Sequence, residues 1–352
     1  MANFNIATLD GDGIGPEVII QGIKVLNKVA LVYDHKFRFD FAPVGAVAID
    51  EVGDPLPDHT LELCKRSDAI FFGAIGHPRF DNDPTAKVRP EQGLLKLRKA
   101  LGLYANLRPV AAYDKLTHLS PLRPERMQGV DILVVRELTG GTYFGDKGRR
   151  DGGDTAYDTC LYTRVEIERI LKVGFSAAAK RGKKLTLVDK ANVMESSRLW
   201  REIMREMAPK YPEIDVNFMF VDNAAMQLIL NPAQFDTIVT DNLFGDILSD
   251  ASSVLAGSLG LLPSSSIGAE VAMFEPIHGS WPEGAGQDRA NPIATILSAA
   301  MMLDHLGLVT EGDAVRKAVN KTMASGVGTE DLQPSRQVGT NELGDLIAAA
   351  VA

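Results

Sequence analysis

Short apolar runs alternate with longer stretches of helical apolar spacing along most of this chain. Residues 5–9 read as a short buried strand that closes at the turn Gly11-Asp12-Gly13-Ile14-Gly15. Pro16 then opens a helical pattern carried by Val18, Ile19, Gly22, Ile23, Val25 and Leu26. Residues 37–41 alternate phenylalanine with polar residues, as a half-buried strand does, and the unbroken apolar run 69–74 predicts a strand covered on both faces. Further strands are expected over 132–135, 185–188, 218–221 and 237–240. Helices are expected over 164–180, 196–207 and 224–230, with a helical pattern again from 291 onward. This alternation predicts an α/β fold.

Two regions interrupt it. Residues 140–154 are rich in Gly, Arg and Asp and run into 155–159, a candidate strand, so a protruding loop or arm is expected there. Residues 263–268 and 279–291 read as loops. The second is long and follows His278, which marks it as a candidate binding loop. The glycine-rich turn follows a strand and opens a helix, but its third glycine comes one residue too early for G-x-G-x-x-G. A Rossmann domain is therefore not predicted.

A chain of 352 residues has room for two domains, or two lobes sharing a sheet. Its net charge of −9 argues against a nucleic-acid surface and against docking on anionic membrane. Two cysteines, Cys64 and Cys160, are too few for a disulfide framework and are expected as reduced thiols in a cytoplasmic protein. No apolar run reaches the ~18 residues of a membrane span. The first residues lack the pattern of a signal peptide.

Chemistry enters with Asp246 and Asp250, four residues apart where a helical pattern begins, hence on one helix face. A solvated helix face is the common fate of such a pair, but a divalent cation with a preference for oxygen ligands would also compensate the two charges. Arg98, Arg108 and Arg136 offer forks that match carboxylates; any one of them is more often a surface ion pair. Arg136 follows four apolar strand residues and so belongs at a strand's C-terminal end, where α/β sheets bind ligands. Lys190 and Asp222 each follow a short strand, Lys190 as a candidate for proton transfer and Asp222 as a third candidate metal ligand. Tyr143, in the loop from Gly140 to Gly145, is a candidate proton donor, although loop tyrosines commonly just pack.

Together these segments resemble the metal-dependent β-decarboxylating dehydrogenases, and among them the 3-isopropylmalate dehydrogenases. The resemblance is carried by residues 11–17, by 242–250, and by Glu275-Pro276-Ile277-His278-Gly279-Ser280. Glu91, Leu94 and Leu95, ahead of Arg98, are similar to the residues that face the branched alkyl group in isopropylmalate enzymes. An apolar wall suits that group.

The resemblance implies NAD-dependent oxidative decarboxylation of (2R,3S)-3-isopropylmalate to 4-methyl-2-oxopentanoate and CO2 in leucine biosynthesis. Arg98, Arg108 and Arg136 would hold the carboxylates. Asp246 and Asp250 would hold Mg²⁺ or Mn²⁺ with Asp222 of a second subunit; Asp222 would also lie against the substrate. Lys190, also from that subunit, and Tyr143 would be the catalytic proton carriers.

NAD would lie against Ile14, His278, Gly279, Glu283 and Asn291, with the Glu283 carboxylate disfavouring a 2′-phosphate. Glu283, Trp281, Ala251 and the run Gln287-Asp288-Arg289 depart from the usual isopropylmalate pattern. The implied fold is a two-domain α/β arrangement with a shared central sheet. Residues 1–103 and 257–352 would form the cofactor side. Residues 104–256 would form the metal site, the dimer interface and an arm near 140–159. A homodimer with shared active sites in the interdomain cleft is implied, with neither nucleic acid nor membrane as partner. The competing expectations are a relative acting on D-malate, tartrate or homoisocitrate, and a non-catalytic regulatory subunit.

Overall fold

The structure, a computed structural model, describes residues 1–83 and 85–352. Its longer strands, in chain order, are β1 (Asn3–Gly11), β2 (Lys36–Phe41), β3 (Ala69–Ala74), β4 (Ala105–Ala111), β5 (Asp131–Glu137), β6 (Lys147–Arg150), β7 (Thr155–Asp158), β8 (Lys184–Asp189), β9 (Asp215–Phe220), β10 (Thr237–Thr240), β11 (Pro263–Ile267) and β12 (Ala272–Pro276). The chain divides into two compact units, Met1–Leu103 with Ser258–Ala352, and Tyr104–Gly257.

In the first unit the strand order is β2-β1-β3-β12-β11. Every pairing is parallel except that of β11 with β12. All six residues of β3 are buried, as its continuous apolar run requires of a strand covered on both faces. The second unit has the order β4-β5-β10-β8-β9, with β4 antiparallel to β5 and the remaining pairs parallel. Strands from the C-terminal part of the chain thus insert beside β3, and antiparallel partners occur in both units. The wholly parallel 3-2-1-4-5-6 order of a Rossmann domain is not formed.

Most elements lie where the apolar pattern puts them, with ends moved by a few residues. The segment 263–268 is a correction: an expected loop, it forms β11. Pro263 takes the first strand position, where its missing N–H is tolerated. Ser264, Ser265 and Ser266 are buried and pair with Glu275, Phe274 and Met273 of β12. Short hydroxyl side chains fill a covered strand here without leaving an apolar signature. β6 and β7 form a separate, largely exposed antiparallel pair within the region 140–159.

Cys64 is buried and burial pushes its thiol up to about 12, while Cys160 is half-buried; both are free. No helix among the described residues is long and apolar enough to cross a membrane.

Candidate active site

Helix Asn242–Ser253 begins at Asp241, whose carboxylate accepts the N–H of Phe244 at 2.8 Å and so satisfies one of the free donors of the first turn. Burial pushes the Asp241 carboxyl up to about 7, with Glu137 and Asp189 adding to the rise and Arg136 opposing it. One turn apart on this helix stand Asp246, half-buried, and Asp250, exposed.

Arg136, second from the end of β5 and only 4% exposed, meets this helix at its start. Its Nε and Nη2 donate to Asn242 Oδ1 at 3.2 and 2.9 Å, and its Nη1 bonds Asp246. The guanidinium can pass because residue 245 is glycine. A Cβ there would come within 2.5 Å of Arg136 Cγ. Tyr143, on the 3-10 turn Gly141–Tyr143, donates its hydroxyl to the second Asp246 oxygen at 2.6 Å. Burial raises the Tyr143 pKa, and the bond to Asp246 adds to the rise, so the phenol keeps its proton. Arg108 of β4 donates to Asp250 at 2.6 Å and to Ser249 Oγ at 2.8 Å. Asn106 steadies its Nε at 2.8 Å. Two arginines, two aspartates and a tyrosine are thereby collected on one side of one helix.

Lys190 directly follows β8, and its Nζ donates to Asp222 Oδ1 at 2.6 Å. Asp222 lies in the first turn of helix Val221–Leu230, and the Lys190 bond holds its carboxyl below the ordinary value. Among the described residues no three His, Cys, Asp or Glu side chains come together as a metal site. Asp222 therefore does not join Asp246 and Asp250 within one chain.

In the first unit, helix Pro90–Ala100 carries Glu91, Leu94, Leu95 and Arg98 at the i, i+3, i+4, i+7 spacing of a single face. Leu94 packs partly against the apolar core, whereas Leu95 is 49% exposed. Arg98 Nη2 donates to Glu275 Oε1 at 2.8 Å, and its buried Nε has no partner.

The glycine-rich turn lies against the loop after β12: Ile14 N donates to Ser280 O at 2.8 Å. Gly13, at φ +58°, permits this approach, since a Cβ would stand 2.0 Å from that same oxygen. His278 Nδ1 lies 2.9 Å from Gly279 O, which can only accept, so Nδ1 carries the proton. Its Nε2 is shielded and unpartnered, and burial lowers the His278 pKa, keeping the ring neutral. Glu283 is exposed on the turn Pro282–Gly284. Beside it Trp281 adopts φ +36°, with the Arg289 guanidinium 5.8 Å from its ring centre. The Asn291 amide is spent on structure: Oδ1 accepts Ile293 N at 3.0 Å, and Nδ2 donates to Asp331 at 2.9 Å.

Residues 5–347 match the isocitrate/isopropylmalate dehydrogenase family. This chain belongs to that family. It is a decarboxylating dehydrogenase, a class that acts on small hydroxy-dicarboxylic acids with a nicotinamide cofactor and a divalent metal. The 3-isopropylmalate dehydrogenase of Bacteroides fragilis is 56% identical over 344 residues, covering 97% of each chain. That of Geobacillus kaustophilus is 53% identical over 358 residues, covering 100% of this chain and 96% of its own. Among solved structures, isocitrate dehydrogenase from Methylococcus capsulatus superposes with a TM-score of 0.86 at 34% identity over 99% of both chains. A β-decarboxylating dehydrogenase from Thermococcus kodakarensis, in its apo form, gives 0.82 at 37% identity over 99% of this chain and 96% of that one.

The family's groups fit the residues present. Asp246 and Asp250 supply hard oxygen donors on one helix face, and Mg²⁺ or Mn²⁺ takes few such ligands from protein and fills its shell with water and substrate. The turn at Ile14 and the loop after His278 present backbone held at close approach, which suits a dinucleotide. Glu275, Asn242, Ser249 and Asn106 were not read as site residues from the sequence. Each acts by orienting an arginine or an aspartate that was.

Proposed function

We propose that this enzyme carries out the NAD⁺-dependent oxidative decarboxylation of (2R,3S)-3-isopropylmalate to 4-methyl-2-oxopentanoate and CO2, a step of leucine biosynthesis. The observation that carries the substrate reading is the face of helix Pro90–Ala100. It sets Leu94 and Leu95 one turn before the carboxylate-binding Arg98, in a chain 56% identical to a 3-isopropylmalate dehydrogenase.

Arg98, Arg108 and Arg136 bind the two carboxylates through paired N–H donors and fix the acid's orientation. Lys190 of the partner subunit assists loss of the C2 hydroxyl proton as the alcohol is oxidised. Tyr143, kept protonated by burial and by Asp246, returns a proton to the carbon that loses CO2. Asp246 and Asp250, with Asp222 of the partner subunit, would hold the divalent cation, which would supply Lewis acidity, and NAD⁺ would supply the hydride acceptor. The exposed Glu283 carboxylate favours NAD over NADP by repelling a 2′-phosphate.

Sharing of sites in a homodimer is supported by Asp222 not joining Asp246 and Asp250 in a three-ligand group among the described residues. Unpartnered Met226, Ile229, Leu230, Ile247 and Val254 on the same unit add an apolar surface for such an interface. Co-expression of Lys190→Met with Asp246→Asn chains tests it. Shared sites restore one intact centre per mixed dimer and recover activity, whereas sites built within one chain stay dead.

The substrate is tested by NADH formation with Mn²⁺ and NAD⁺ on 3-isopropylmalate, isocitrate, D-malate and tartrate. A strong preference for 3-isopropylmalate is expected. Preference for another acid overturns the role of Leu94 and Leu95, and silence on all four leaves a non-catalytic subunit.

A further inference from the structure

Asp12 sits in the middle of the glycine-rich turn, 2% exposed, and has no part in the steps above. Its Oδ2 accepts Ala46 N and Gly76 N, each at 2.9 Å, and its Oδ1 accepts Val47 N at 3.1 Å. One carboxylate therefore collects three amide donors from two other segments of the chain. Burial pushes this carboxyl up and the three bonds pull it down, so the group stands in an expensive place that bonding offsets.

The segments it collects belong to a closed circuit. Asp12 N donates to Ala74 O at 2.8 Å, and Gly76 O accepts the Ser280 hydroxyl at 2.6 Å. Ser280 O then accepts Ile14 N, two residues beyond Asp12. The fit is tight around the carboxylate: a Cβ on Gly45 would lie 2.4 Å from Asp12 Oδ2. A Cβ on Gly76 would lie 2.8 Å from the carboxylate of Glu91. The circuit thus joins the cofactor turn to the loop after His278, with the Glu91 carboxylate lying close against Gly76.

We infer that Asp12 is a positioning residue for the nicotinamide dinucleotide, fixing the backbone of Ile14, Gly76 and Ser280 into the surface on which that cofactor rests. The inference depends on the dehydrogenase reading above. A purely structural carboxylate, serving only to cap helix Ala46–Val52, would affect stability without singling out one substrate.

The test is the Mn²⁺-loaded enzyme with Asp12→Asn and, separately, Ser280→Ala. The readouts are kcat, KM for NAD⁺, KM for the hydroxy acid, and NADH affinity by fluorescence titration. Asparagine offers one accepting oxygen and turns an N–H₂ toward a backbone donor. KM for NAD⁺ should therefore rise about tenfold or more while KM for the acid stays within about twofold. Ser280→Ala removes one neutral bond of the circuit and should raise KM for NAD⁺ about threefold. Equal changes in both KM values, or a loss of kcat with KM for NAD⁺ unchanged, overturns the inference. Should Asp12→Asn fail to fold, the KM split of Ser280→Ala decides. Should the unaltered enzyme turn over none of the acids, the functional reading falls, and the NADH titrations still judge Asp12.

Discussion

In the unit Tyr104–Gly257 the functional side chains are held by each other: arginine against aspartate, tyrosine against aspartate, lysine against aspartate. In the other unit, the loops around Ile14 and Ser280 are held by the Asp12 carboxylate and the Ser280 hydroxyl bonding main-chain groups, with glycines where a Cβ would collide. The first arrangement depends on which side chain is present, because charge and proton are what it supplies. The second depends on shape, and tolerates any side chain that leaves the backbone where it is. Substitutions should therefore act through chemistry in one region and through affinity in the other.

The largest effect should come from Lys190→Met, which removes a proton carrier that no neighbour replaces. A fall in kcat on the order of 10³-fold is expected, with little change in acid binding by titration. A near-normal kcat would end the claim that side-chain identity rules that unit.

Arg136→Lys sharpens the same point, since a single ammonium cannot span Asn242 and Asp246 as the guanidinium does. A loss of roughly 10²-fold in kcat/KM is expected, and retention of activity would show that charge alone suffices. Leu95→Ala lies across the comparison, being a matter of shape beside a charged site. It should cost about tenfold in kcat/KM for 3-isopropylmalate relative to D-malate. The melting temperature should hold, because Leu95 is 49% exposed.

Asp241→Asn should affect activity least and stability in a pH-dependent way. The folded protein holds the Asp241 carboxyl near 7, above its ordinary value, so its contribution favours folding at low pH and is lost as pH rises through about 7. Asparagine keeps the cap and drops the charge. Thermal melts between about pH 4 and 8 should show the decline in the unaltered protein, running from the ordinary value of 3.8 up to about 7 and level above it, on the order of a few kcal/mol in total, and should flatten in the variant.

What could be read in advance follows from how local each signal is. β3 announces itself by six apolar residues in a row, and Arg136 and Lys190 by their place at strand ends. β4 was hidden by Arg108 and Pro109, β11 by its serines, and β6 by a run of Lys, Gly and Arg with no apolar alternation. The Asp246–Asp250 spacing is local and was legible. Glu275 orients Arg98 across 177 positions, and Asp12 reaches Gly76 across 64. Nothing in a neighbourhood of the sequence encodes such pairings; they exist only once the sheet has brought distant segments side by side.

The two cysteines, finally, differ enough to be useful. Cys64 is sealed in the core with its thiol pushed up to about 12, so alkylating reagents at neutral pH should pass it by. Cys160 is half-buried just beyond β7. Each chain thus offers a single addressable handle just beyond β7, and a fluorophore placed there would report changes around the exposed β6–β7 pair.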